Sequence, residues 1–136
     1  MASKGQITGM RGVYLVAAEL ARIGFIVSPT SRSAFGADLL VTDHKCKRTF
    51  SAQVKTNART FGFWLIGKKV QETISATHVY VLVNIRKSAK SGEHIEYFIV
   101  PSKDLSRIAQ HEGDWPHVRR DAILKYENRW SAFGKP

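Results

Sequence analysis

The 136-residue sequence contains one cysteine, Cys46, so no disulfide can form within the chain, and only His44 stands near enough in sequence to share a zinc with it. Neither a disulfide scaffold nor a structural zinc is expected. Long apolar runs are also missing. The opening MASKGQITGMRG has no apolar signal core, and no stretch approaches the roughly 18 apolar residues that cross a bilayer. The expectation is a cytoplasmic, nucleoid-associated protein with no membrane partner. No repeat and no Gln-, Ser- or Pro-rich tract is visible, and no G-x-G-x-x-G or G-x-x-x-x-G-K-[ST] follows a strand-like run, which argues against a dinucleotide or Walker-type site. Acidic residues are scarce: 11 Asp and Glu stand against 21 Lys and Arg, a net charge of +10. Such a surplus favours a polyanionic partner, and nucleic acid above others, because neutralising phosphates releases counterions.

The length suits one domain with one core. Residues 1–8 are expected to be a flexible N-terminus, 9–110 the core, and 111–136 an extension packing on the core or on a partner. Over residues 10–23, Val13, Leu15, Val16, Leu20 and Ile23 recur mostly every three or four positions with alanines between them, which predicts an amphipathic helix stopped by Gly24. A short strand over 25–28 and a Ser/Pro/Gly-rich loop over 28–36 follow. ADLLVTD and RTFSAQVKT, separated by the basic turn HKCK, predict an antiparallel hairpin. A third strand near 63–66 and a short helix near 70–75 precede THVYVLVNI, whose nearly continuous apolar run predicts a central strand buried on both faces. IEYFIV is another strand, stopped by Pro101, and Ser102 is expected to cap a helix through about residue 110. This order indicates an α/β domain with helices covering a mixed sheet.

The chemistry concentrates in the hairpin. Gln53 and Lys55 are two apart and so share a strand face, and a turn at 44–47 brings Asp38 near them. A carboxylate and a second oxygen ligand can hold a hard cation that polarises a phosphate, and a lysine can stabilise charge developing on phosphoryl oxygens or activate a water. The same residues also fit a bland arrangement: Asp38 bonding a local turn, Gln53 and Lys55 on an exposed edge strand, and Glu19 as a solvated helix charge.

With these segments the chain resembles the PD-(D/E)XK nuclease superfamily, in its Mrr-like and archaeal Holliday-junction-resolvase-like branch. The matching segments, within residues 9–101, are GVYLVAAELARIGF with Glu19, FGADLLV with Asp38, and SAQVKT with Gln53 and Lys55. The resemblance implies a restriction-endonuclease-like core and an Mg²⁺- or Mn²⁺-dependent endonuclease cutting DNA, of restriction, repair, junction-resolving or homing type. It further implies that Asp38, Gln53 and the Val54 carbonyl ligate the metal, that Lys55 orients water or stabilises charge, and that Glu19 supports the site from the helix. Gln53 departs from the acid that most of the superfamily carries and removes one negative charge, although Mrr-like members have glutamine there. Double-stranded or branched DNA is the expected partner, with a homodimer or higher homo-oligomer as the acting form.

Arg32, Ser33, Arg59, Lys68 and Lys69 are candidate phosphate contacts, and Phe61, Phe63 or Trp64 could stack on an unpaired base, at least one of them being core instead. Two rival functions remain: a nuclease-fold module that binds nucleic acid without cutting it, and an accessory subunit whose basic surface meets an acidic protein. The five histidines lack an H-E-x-x-H context, which argues against a zinc hydrolase, and Cys46 has no evident base partner.

Overall fold

A computed structural model of the chain describes residues 1–31, 36–113 and 115–136. Helix α1 (Lys4–Ile23) starts well before residue 10 and takes in most of the end expected to be flexible. The cause is a capping box: the Ser3 hydroxyl accepts from the Gln6 N–H at 3.2 Å, and the Gln6 side chain accepts from the Ser3 N–H at 2.8 Å. Gly24, at φ +120°, ends the helix as expected.

The sheet has the order β1-β2-β3-β5-β6, with β1 (Ile26–Pro29), β2 (Leu39–Thr42), β3 (Thr49–Asn57), β5 (His78–Ser88) and β6 (Gly92–Pro101). Only the β3/β5 pair is parallel; the others are antiparallel. The hairpin of β2 and β3 forms as expected. Asp43 closes it, its Oδ1 accepting from the Lys47 and Arg48 amides at 2.8 and 2.9 Å, and Cys46 sits exposed in the turn at φ +55°. The run from His78 to Ile85 is buried throughout, between β3 and β6, as an apolar strand covered on both faces should be.

Each face of the sheet has its own core. On one, α1 lays Val16 and Leu20 over Val41, Ala52, Val54 and Val81, and Phe133 from the C-terminal segment closes the far end against Phe25 and Phe50. On the other, Tyr80, Leu82, Phe98 and Val100 pack against Trp64, Leu105 and Tyr126. The C-terminal segment is therefore part of both cores. A second, two-stranded sheet pairs β4 (Phe63–Leu65) with β7 (His117–Arg119) and covers this second face beside α2 (Ser102–Ile108).

Two local expectations are corrected. The helix placed near 70–75 is a single 3₁₀ turn at Lys68–Gln71. Ser102 does not cap α2; it is the first helical residue, and its hydroxyl donates to the Ser75 carbonyl at 2.9 Å and accepts from the Ser75 N–H at 3.0 Å. Pro101 alone enforces the break, and the serine instead anchors the chain entering β5.

Candidate active site

Asp38 stands immediately before β2, opposite Gln53, since Leu39 pairs with Ala52. Its N–H donates to the Ala52 carbonyl at 2.7 Å, and its side chain then replaces the next backbone acceptor: Oδ2 takes the Val54 N–H at 2.8 Å and the Gln53 Nε2–H at 3.3 Å. The carboxylate thus extends the β2/β3 ladder past the last residue of β2. Just past β1, the Thr30 N–H donates to the Asp38 carbonyl at 2.9 Å. A carboxylate held by a backbone amide on a central strand is far better fixed than one on a free loop.

Gln53 is shared by two openings. One is a cleft of about 490 Å³ between α1 and the ends of the strands, lined by Gln6, Met10, Val13, Tyr14, Thr30, Asp38 and Gln53 among others. The other, of about 160 Å³, lies under the 3₁₀ turn and is lined by Gly36, Gln53, Lys55, Gly67, Lys69, Val70, Thr73 and Tyr80. Lys55 reaches only the second opening, whereas Gln53, beside Asp38, reaches both. Ala52 and Val54 point into the core beneath α1, while Gln53 and Lys55 turn to the other face. Lys55 and Lys69 therefore give the second opening its positive charge.

Tyr80, absent from the sequence reading of the site, is in register with Gln53 across the parallel β3/β5 pair. Its phenol shares a hydrogen bond with Thr73 at 2.9 Å. Burial pushes that phenol above its ordinary pKa and the Thr73 contact opposes this, so Tyr80 is a neutral phenol at the edge of the site. The signal lay in the sequence as one tyrosine within an otherwise aliphatic run, but its partner strand could not be read there.

Glu19 does not join this group. Its carboxylate bonds Arg22 at 2.8 and 3.0 Å and lies near the Tyr97 phenol of β6. Val13 lines the cleft, and Glu19 is six positions further on, about 600° of helical rotation, which sends it round to another side of α1. Arg32 and Ser33 lie outside the described residues. Arg59 is exposed in the turn after β3. Lys68 stands over the Trp115 ring at 5.1 Å, and Lys69 lines the second opening. Of the three aromatics, Trp64 is core, its indole N–H donating to the Val83 carbonyl at 3.1 Å. Phe61 is half-buried beneath Arg86, and Phe63 is exposed.

The donor set for a cation is sparse. Among the described residues no three His, Cys, Asp or Glu side chains come together. What Asp38, Gln53 and Val54 offer is one carboxylate, one amide and a backbone carbonyl. That suits a hard cation that keeps most of its waters, as Mg²⁺ does. Gln53 turns its NH₂ toward Asp38, and giving its oxygen to a shared cation requires that amide to turn over.

No protein-family model and no curated protein sequence matches the chain. Solved structures do. Hjc, a Holliday junction resolvase from the archaeal hyperthermophile Archaeoglobus fulgidus, superposes with a TM-score of 0.55 at 11% identity, covering 86% of this chain and 88% of its own. The bacterial homing endonuclease I-Ssp6803I superposes with a TM-score of 0.58 at 13% identity, covering 96% and 90%. The mixed sheet and its covering helices therefore have the restriction-endonuclease-like architecture of these nucleases.

Proposed function

We propose that this chain is a metal-dependent endonuclease that hydrolyses DNA phosphodiester bonds at the Asp38/Gln53/Lys55 cluster. The observation that carries the reading is Asp38: on a nuclease architecture, its carboxylate is locked by the Val54 amide and Gln53 at the mouth of an open cleft. Asp38, the Gln53 amide oxygen and the Val54 carbonyl would hold Mg²⁺ or Mn²⁺, which when bound polarises the phosphate and lowers the pKa of a bound water. Lys55 sits on the same strand face as Gln53 and stabilises charge on the non-bridging oxygens. Lys69, beside it, helps to seat the strand.

The fold likeness to a junction resolvase and a homing endonuclease supports DNA as substrate. A homodimer supplying two such sites is the form in which both strands of a duplex would be cut. Glu19 has no part in this version, because it is committed to Arg22. The test is conversion of supercoiled plasmid to nicked and linear forms by the purified protein with Mg²⁺ or Mn²⁺, against an EDTA control. Metal-dependent nicking is expected.

The second reading, a nuclease-fold module that binds DNA without cutting it, draws on one observation: Asp38 is the only carboxylate lining either opening among the described residues. DNA retention in a gel with an intact plasmid at every metal concentration would favour it.

A further inference from the structure

The β4/β7 ribbon has an inner and an outer face. Trp64, Ile66 and Val118 turn inward and are buried. Outward, the register sets Phe63 opposite Arg119 and Leu65 opposite His117. The Ile66 N–H donates to the Pro116 carbonyl at 2.9 Å, which carries the same pairing one step further and sets Gly67 opposite Trp115. By the two-residue period of strands, Arg119, His117 and Trp115 form one outward row and Phe63, Leu65 and Gly67 the row beside it. Large apolar surface is left uncovered there: Phe63 is 41% exposed, Leu65 58% and Trp115 56%. A shallow depression of about 390 Å³ runs between Gly62, Phe63, Leu65, His117 and Arg119.

We infer that this outer face is a stacking platform for the unpaired bases of a DNA strand that leads into the Asp38 cluster. Three observations select that occupant. Cations edge the platform: Lys68 stands over the Trp115 ring, and Arg119 extends the row, on a chain of net charge +10. The platform is continuous with the site, because Gly67 at its end lines the same opening as Gln53, Lys55 and Lys69. Finally, side chains two apart on a strand are about 7 Å from one another. That is roughly twice the rise between stacked nucleotides, so the row suits an unstacked strand rather than a paired duplex. Aromatic faces beside cations bind single strands without regard to sequence. This inference rests on the nuclease reading only for what happens to the bound strand.

The test uses the whole protein in EDTA, with an unlabelled thymidine 20-mer, an RNA 20-mer and a blunt duplex as probes. Trp115 is the exposed tryptophan, since Trp64 is buried and Trp130 half-buried, so the 20-mer should quench tryptophan emission and Trp115→Phe should remove most of the quench. Trp115→Ala and Phe63→Ala should each weaken binding of the 20-mer by about 5- to 150-fold with an unchanged salt slope, because no charge is lost. Lys68→Ala should lower the slope. Tighter binding of the duplex, or of an RNA 20-mer, or unaltered affinity in both aromatic variants, would overturn the inference. So would a dimer that Phe63→Ala and Leu65→Ala dissociate without loss of DNA affinity, since the face would then be a contact between copies. Stacking intact with no cleavage once Mg²⁺ replaces the EDTA would instead count against the nuclease reading alone.

Discussion

Gly12→Ala is expected to destabilise the protein even though it improves a helix. Gly12 lies in the interior of α1, where alanine is favoured over glycine by about 1 kcal/mol. Here α1 meets β3. A Cβ at Gly12 would stand 1.8 Å from Thr56 Oγ1, 2.8 Å from Thr56 Cβ and 3.0 Å from Thr56 Cγ2. Rotating the threonine moves Oγ1 and Cγ2 but leaves Cβ where it is, so the helix itself must lift. Overpacking of this kind costs about 1–3 kcal/mol, and so short a contact places the cost in the upper part of that range. The net effect should be a loss of about 1–2 kcal/mol in urea unfolding. The three nearest atoms all belong to Thr56, so in a Thr56→Gly background these contacts are gone, and the same Gly12→Ala change should stabilise by about 0.5–1 kcal/mol. Because α1 walls the cleft at Asp38, the single variant should also weaken DNA binding while the double variant recovers it. An increase in stability from Gly12→Ala in the wild-type background would refute this account of how α1 is seated.

The remaining predictions concern charge. Glu96 is buried, and its carboxylate takes bonds from Arg120 at 2.7 and 3.2 Å and from Asn84 at 3.0 Å, with Arg86 nearby at 3.5 Å. Burial alone would raise its pKa, but the Arg120 and Asn84 bonds and the charges of Arg120 and Arg86 more than offset this and hold it below the ordinary value. Its folded pKa is depressed, so its contribution is present above the unfolded value of about 4.3 and is lost as pH falls through the folded value. Glu96→Gln should cost about 1–3 kcal/mol at pH 7 and much less at pH 3, as read by urea unfolding at the two pH values; a cost independent of pH would contradict it. Gln53→Glu restores a second carboxylate, so the metal concentration for half-maximal cleavage should fall roughly tenfold. The metal-free variant should be less stable than wild type, because two carboxylates then face each other. Lys55→Ala should lower the cleavage rate by more than tenfold while leaving DNA affinity within a few fold.

The parts of the fold legible in the sequence were those set by local pattern. The hairpin was readable because alternation and a polar basic turn fix its register, and that register alone puts Asp38 across from Gln53. The apolar run of β5 announced its own burial. The start of α1 was missed: the apolar pattern there is weak because Ile7 and Met10 face outward, and the only local sign was Ser3 followed by Gln6 three residues later. What could not be read is what depends on distant partners. Nothing local says that β4 pairs with a strand near the C-terminus, that Tyr126 and Phe133 complete the two cores, or that β3 runs parallel to β5 and so brings Tyr80 beside Gln53. Glu19 stands apart from the Asp38 group for a geometric reason. Identity and spacing qualified it, but its azimuth on the helix could be judged only once the face turned to the cleft was known.

The most direct measurement is the single-turnover cleavage rate of wild type and Asp38→Ala on one DNA substrate, with DNA affinity measured for both proteins in the same buffer. Metal-dependent cutting by wild type, with cleavage abolished and affinity kept in Asp38→Ala, is the expected result. Cutting that persists in Asp38→Ala, or in EDTA, would contradict the assignment of the site.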